Sequence, residues 1–255
     1  AALTVDNSFA WSGGTQGGAG SPPVVPGAAL TISGANPILS ARTFNQQSTT
    51  GSWSGTGTIG LQAGAVFNNS GTLTATGDGL LRNDSGSVTF NNSGSFIKTT
   101  GAGTTTIDRS GGAAFTINNT GTGTMEVQSG TLQVGGAVVF NQDGLVNVAG
   151  GTTFALPSVS SGAGSGDYVI AGTGLVSFTN STQTLNAGAD ISGAGLFSVG
   201  SGTLTVAAAV SADNLAQSGG TITGGAVLTV DNSLAWSGGT QGGAGTTTVA
   251  PTAAL

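Results

Sequence analysis

The chain contains neither cysteine nor histidine in its 255 residues. A disulfide framework is therefore excluded, and so are metal sites built from thiolate or imidazole ligands. Charge is also scarce: 4 Lys or Arg and 10 Asp or Glu make up 5% of the chain, against about 25% in typical soluble domains. Four scattered cations cannot neutralise the phosphates of a nucleic acid, so no nucleic-acid partner is predicted, and a polybasic membrane patch is absent for the same reason.

Long apolar runs are missing as well. None approaches the ~20 residues of a membrane-spanning helix, so no transmembrane segment is predicted. Glycine supplies 48 residues along the whole chain, and each interior glycine costs a helix about 1 kcal/mol, which argues against helices. Disorder is disfavoured because 37% of the residues are hydrophobic and the net charge is only −6. No signal peptide is visible, and the first residue is Ala1 rather than Met, so we expect the chain to be part of a longer protein.

The most prominent feature of the sequence is a long internal repeat. Residues 3–20 and 228–245 are identical except that Phe9 is replaced by Leu234, and the correspondence continues to residues 30 and 255 at the same offset of 225. We therefore predict that residues 1–225 form one long-period repeat and that residues 226–255 begin the next copy. Two near-identical copies also indicate a longer array in the parent protein, in which neighbouring copies stack end to end.

A shorter, degenerate repeat lies inside the long one. Its anchors pair an apolar residue with Asn and recur at spacings of 23, 23, 27 and 23, beginning at Phe44, Phe67, Phe90, Ile117 and Phe140. Between them a glycine is followed by alternating apolar and polar residues, as in residues 130–134 and 202–206. Alternation with a period of two is typical of a short strand with one buried face.

Units of roughly 20 to 29 residues with two or three short strands cannot bury their apolar faces alone, whereas stacked units can. The sequence therefore predicts an all-β, right-handed parallel β-helix, or β-solenoid, of about 9 to 10 coils per long repeat with one continuous core. Gly and Asn are expected at the corners, where a positive φ is needed. Both ends of a β-helix expose unpaired strand edges, so a separate copy of this chain is expected to associate end to end into filaments.

Asn68, Asn91, Asn118 and Asn141 follow the apolar anchors and allow two interpretations. If they occupy an inside corner, each amide can bond the next along the axis and form a ladder; alternatively, Asn is there because it tolerates the turn. Three of these residues also begin glycosylation sequons, together with Asn83 and Asn180. Such matches arise by chance in turn-rich sequence, so they do not predict glycosylation.

The repeat sequences resemble those of bacterial β-strand-repeat surface proteins, which are similar to filamentous-haemagglutinin and autotransporter passenger helices. The resembling stretches are residues 51–61, 66–77, 115–134 and 235–249. The resemblance implies secretion to the bacterial cell surface and a role in adhesion, matrix or filament building, with no fixed catalytic residues. We therefore expect a structural or adhesive extracellular module, with a glycan- or surface-binding adhesin passenger as the alternative.

An enzyme is not expected, although some β-helices act on polysaccharides. Hydrolysis needs two converging carboxylates, and the ten acids are spread along the chain. The one local charge cluster contains Arg82, Asp84, Lys98, Asp108 and Arg109, which we interpret as surface ion pairs. No cofactor is expected, apart from a weak Ca²⁺ candidate: Asp143, Asp167, Asp190 and Asp213 are spaced 24, 23 and 23 apart and would stack if their strands shared a register.

Two further features have both a functional and a structural interpretation. Trp11 and Trp236 are equivalent in the long repeat, so they could contact a sugar or a partner, or they could fill wide coils. Paired threonines suggest ice binding as one interpretation, since a flat threonine lattice orders water. The pairs are Thr72/Thr74, Thr122/Thr124, Thr203/Thr205, Thr221/Thr223 and Thr246/Thr248. Their sequence spacing is irregular, and threonine is favoured on the outward side of any strand.

Overall fold

A computed structural model describes residues 4–21, 23–111 and 113–255. These residues form 32 short β-strands and no helix, and every strand pairing between them is parallel. The strands wind into a solenoid of about 11 turns with about 22 residues per turn. The predicted parallel β-helix is therefore confirmed, with a coil length inside the predicted range.

Each turn has three faces, and equivalent strands stack along each face in parallel register. The first face contains Ser8–Trp11, Ala29–Ile32, Gly51–Trp53, Thr72–Ala75, Ser95–Lys98, Thr124–Val127, Leu145–Val148, Asp167–Ile170, Asp190–Ser192 and Thr246–Val249. The second face contains Gly14–Gly17, Pro37–Ser40, Thr58–Gln62, Leu80–Ser85, Thr104–Arg109, Thr131–Val134, Thr153–Pro157, Leu175–Thr179 and Leu196–Val199.

The third face contains Pro23–Val24, Thr43–Gln46, Val66–Asn69, Val88–Asn92, Phe115–Asn119, Val139–Gln142, Ala163–Gly164, Ser181–Leu185, Gly202–Val206, Thr221–Gly224 and Thr240–Gln241. Two longer strands, Val210–Gln217 and Val227–Trp236, run from the first face onto the second. One strand ends at Gly224 and the next begins at Val227, and both pair with neighbouring turns, so the boundary between the two copies of the long repeat lies inside one solenoid.

The core is one apolar column along the axis, produced by the alternation in each strand. In Thr131–Val134, for example, Leu132 and Val134 point inward and are buried, while their neighbours are half-buried. Aromatic rings are in contact from turn to turn on the third face: the ring centroid of Phe67 lies 5.1 Å from that of Phe44 and 5.7 Å from that of Phe90. Each turn thus covers the apolar side of its neighbours, which no single turn could do alone.

Glycine is required where two turns approach closely, at a corner or within a strand. At Gly34, φ is +85°, and an added Cβ would lie 1.9 Å from the carbonyl oxygen of Ser12 in the preceding turn. At Gly164 the added Cβ would lie 1.7 Å from the carbonyl oxygen of Gln142. Any larger residue at these positions would force the turns apart. Within the described ranges, no helix has the length and apolarity needed to cross a membrane.

Candidate functional site

The most ordered polar feature of the rod is a pair of side-chain columns on the third face. The outer amide column lies on the half-exposed side of the strands and consists of Asn45, Asn68, Asn91, Asn118 and Asn141. The Nδ2 of each of the last four donates to the Oδ1 of the preceding member at 2.7–2.8 Å. At the N-terminal end of the column, the Nδ2 of Asn45 donates to the Oγ of Ser21 at 2.6 Å.

The inner amide column is formed by the next residue of each strand, which points into the core, and consists of Gln46, Asn69, Asn92, Asn119 and Gln142. All five side chains are buried. The Nδ2 of Asn69 donates to the Oδ1 of Asn92 at 2.7 Å, that of Asn92 to Asn119 at 2.8 Å, and that of Asn119 to the Oε1 of Gln142 at 2.7 Å. Donation therefore runs toward the C-terminus here and toward the N-terminus in the outer column.

The inner column also joins the third face to the first. The second hydrogen of the Asn92 Nδ2 reaches the carbonyl oxygen of Thr124 at 3.0 Å, and the same contact joins Asn69 to Ser95 at 3.0 Å and Asn119 to Leu145 at 3.1 Å. Each carbonyl belongs to a first-face strand of the following turn. Because a buried amide without partners is costly, this bonding pattern fixes both the spacing of the turns and the angle at the corner.

The columns lie within strands and not at corners, which differs from the placement considered for Asn68, Asn91, Asn118 and Asn141. The structure brings these four residues together in one outer column. The inner column was not predicted, although the sequence contains a signal for it. The inward phenylalanine or isoleucine two residues earlier places Asn69, Asn92 and Asn119 on the inward side of a strand with a period of two.

The remaining sequon residues lie in different surroundings. Asn83 is buried, and its Nδ2 donates to the carbonyl oxygens of Gly86 and Ala114 at 2.9 and 3.0 Å. Asn180 is exposed at a corner with a φ of 49°, and its Nδ2 donates to the Oγ of Ser158 at 3.2 Å. Sequons in this chain thus fall at a buried site, in the outer column and at a corner.

The aspartates proposed as a Ca²⁺ column have separate hydrogen-bond partners. Asp143 accepts from the backbone and hydroxyl of Ser165, and Asp213 accepts from the backbone of Gly193 at 2.6 Å. Only Asp167 and Asp190 are neighbours: the Oδ1 of Asp167 accepts from the backbone N–H of Asp190 at 3.1 Å. Partial burial, with the nearby Asp190 carboxylate, raises the pKa of Asp167. The described residues contain no group of three or more acids that could hold a metal ion.

The predicted charge cluster divides between two faces. On the second face, Arg82 pairs with Asp84 at 2.5 Å, and Arg82 and Asp108 are register partners in adjacent strands. Burial raises the pKa of Asp108, and the nearby Arg82 partly offsets this effect.

Lys98 belongs to the first face instead and is fully buried. Its Nζ lies 2.8 Å from Asp78, 3.1 Å from the carbonyl oxygen of Thr100 and 3.3 Å from that of Gly77. The lysine therefore ties a corner of one turn to the strand of the next, and it is not part of the cluster that the sequence suggested.

The two equivalent tryptophans differ in exposure. Trp11 is 2% exposed, and its ring centroid lies 5.8 Å from that of Phe44. Trp236 is 54% exposed. It lies two residues after the buried Leu234, hence on the inward side of its strand, at the last turn of the rod. Trp11 is therefore a core residue, whereas Trp236 is an apolar surface at the C-terminal end.

The threonine pairs fall on two faces. On the third face Thr203 and Thr205 lie beside Thr221 and Thr223 in register. Thr182 and Thr184, which the sequence analysis did not single out, extend this array by one turn. Thr72/Thr74 and Thr246/Thr248 lie in strands of the first face, and Thr122 and Thr124 precede and begin another first-face strand. The threonines therefore do not form one continuous lattice along the rod.

A cavity of about 140 Å³ lies at the last turns, lined by glycine backbone and by side chains that include Ile222, Leu228 and Gln241. No acid lines it. No protein-family model, curated protein or solved structure matches this chain.

Proposed function

We propose that this chain is a structural segment of a large bacterial surface or matrix protein, in which long repeats join into one rigid extracellular rod. The inner amide column carries this proposal. It is a run of five buried side chains, four of which are bonded in series from turn to turn, and it joins two faces of the solenoid. Such a column stabilises the axial stacking of the turns.

The distribution of charge supports the same function. Among the described residues there are two ion pairs: Lys98–Asp78 joins two neighbouring turns, and Arg82–Asp84 lies within one strand. The cavity at the last turns is lined by glycine backbone and by apolar, threonine and glutamine side chains, and by no acid. The proposal therefore includes no catalytic residue and no cofactor, and the function lies in the length and stiffness of the rod.

The ends of the segment support stacking between copies. At the last turn Trp236 lies on the inward side of its strand and is 54% exposed, so it continues the apolar core without a covering turn. A further turn of the same kind would bury this ring, as Trp11 is buried near the first turn. Neighbouring copies of the repeat are thus the proposed partners, either in one chain or end to end.

Electron microscopy of the intact parent protein tests the proposal. Rods should be visible whose length increases by about 50 Å for each 225-residue repeat, from a strand spacing of about 4.8 Å. Compact particles or flexible threads would contradict the rod.

A matched binding experiment addresses the adhesin alternative. The 255-residue chain is presented to immobilised glycans and to abiotic surfaces, with Trp236→Ser as the paired variant. Specific glycan binding that the substitution abolishes would favour an adhesin passenger over a structural segment. End-to-end association that the same substitution weakens, measured by analytical ultracentrifugation, would support the structural role.

A further inference from the structure

The two copies of the long repeat lie on different faces of the rod. Residues 8–11 form a first-face strand that pairs with Ala29–Ile32. Their equivalents, residues 233–236, form the second half of the strand Val227–Trp236 and pair with residues 214–217 on the second face. The same sequence has therefore moved by one face.

Three other matched positions shift in the same direction. Thr15 and Gln16 lie on the second face, and their equivalents form the third-face strand Thr240–Gln241. Val24 lies on the third face, whereas its equivalent Val249 lies on the first.

Val5 bridges to Val24 at the third face, whereas its equivalent, Val230, pairs with Ala212 and Val249 on the first. Four segments thus agree, so the shift belongs to the whole repeat and not to one irregular strand.

The shift preserves the local structure of the repeat. Ala10 and Ala235 are both exposed on the outward side of their strands. Ser8 pairs with Ala29, and the equivalent Ser233 bridges to Ala254. One sequence therefore builds the same kind of turn on a different face, with the same side chains inward and the same side chains outward.

We infer that one long repeat advances by ten turns and one further face. Ten turns separate the first-face strand Ser8–Trp11 from the first-face half of Val227–Trp236, and residues 233–236 lie one face beyond. At about 22 residues per turn, ten turns and a third account for the 225-residue offset. Each repeat then rises about 50 Å and rotates by a third of a turn, and three repeats return to the starting face after about 150 Å.

The advance by one further face per repeat determines where equivalent residues lie on the surface of an array. This consequence rests on the proposed rod function. An outward residue carried by every repeat occurs on the first, second and third faces in succession. A one-sided adhesive strip cannot be built from such residues. A partner that recognises a repeat-borne surface, such as the one around Ala10 and Ala235, therefore meets it all around the rod at axial steps of about 50 Å.

Disulfide trapping in the 255-residue chain tests the advance, and the absence of cysteine makes every bridge unambiguous. Neighbouring parallel strands are about 4.8 Å apart, which suits the geometry of a disulfide between directly opposed outward residues. The double variant Ala216→Cys/Ala235→Cys should oxidise, with loss of both free thiols and of two hydrogens in the intact mass, because these residues are register partners on the second face.

The pair Ser211→Cys/Ala235→Cys gives the opposite test. It would bridge only if residues 233–236 lay on the first face, as residues 8–11 do, so it should stay reduced. Ala10→Cys/Thr31→Cys, a first-face register pair near the other end, is the positive control. A bridge between positions 211 and 235, or no bridge between 216 and 235 while the control oxidises, would overturn the inference. Either result leaves the rod proposal intact, since microscopy of the parent tests that separately.

Discussion

Substituting Asn92 by alanine is the sharpest test of the inner amide column. The Asn92 side chain is fully buried and makes three hydrogen bonds. Its Nδ2 donates to the Oδ1 of Asn119 and to the carbonyl oxygen of Thr124, and its Oδ1 accepts from the Nδ2 of Asn69. Alanine removes all three bonds, while the three partner atoms stay in the core.

The expected loss of stability depends on which partner atoms of Asn92 are left without a hydrogen bond. The Nδ2 of Asn69 keeps its bond to the carbonyl oxygen of Ser95, so it stays partly satisfied. The Oδ1 of Asn119 and the carbonyl oxygen of Thr124 each lose a donor. At about 1–3 kcal/mol for each buried polar group left without a partner, we expect Asn92→Ala to lower the free energy of unfolding by about 2–6 kcal/mol.

Asn91→Ala is the matched control. It is the same substitution one residue earlier in the same strand, in the outer column, and it removes the bonds to Asn68 and Asn118. Asn91 is only half-buried, so water can replace both bonds, and the expected loss is about 1–2 kcal/mol.

Urea denaturation of the two variants measures the difference, and hydrogen exchange localises it. Because long repeat arrays can unfold in stages, protection of the backbone amides in Val88–Asn92 and Phe115–Asn119 should be compared directly. Protection in these strands should fall much more for Asn92→Ala than for Asn91→Ala. Equal losses, or a larger loss for Asn91→Ala, would refute the assignment of axial cohesion to the buried column.

Two further predictions concern buried ionisable groups. Asp78→Asn leaves the buried Lys98 ammonium without its counter-charge and should destabilise the fold by about 3 kcal/mol. Lys98→Met leaves a partly solvated Asp78 and should destabilise the fold far less. Equal shifts in the urea midpoint of the two variants would contradict this difference. Burial raises the pKa of Tyr168 above its usual value. The unfolded chain therefore ionises first, above about pH 10, and stability is lost as the pH rises beyond that point. Tyr168→Phe should remove this loss in denaturation curves from pH 8 to 11, and an unchanged slope would contradict it.

The short-range pattern was sufficient to predict the strands and their buried sides. Alternation after a glycine placed Leu132 and Val134 inward, and both are buried. The recurrence of apolar anchors placed Phe67 beside Phe90, and their rings meet edge to face. These features depend on neighbours within one strand or on a spacing close to one turn, both of which can be read directly along the chain.

Features that depend on summed coil lengths could not be predicted in this way. The aspartates at spacings of 24, 23 and 23 fall at different points of their turns, because Asp143 lies at a corner whereas Asp167 begins a strand. Lys98 reaches Asp78 although only 20 residues separate them. The face occupied by Trp236 depends on every corner over ten turns, so an equivalent sequence did not imply an equivalent location.

The opposite directions of the two amide columns have an electrostatic consequence. A single column of aligned side-chain amides would add its dipoles along the rod, as peptide groups do along a helix, and would place partial charges at the two ends. Here neighbouring columns point in opposite senses, so their axial dipoles largely cancel. The ends of the segment therefore gain no charge from the columns, and cohesion between turns should be nearly insensitive to ionic strength.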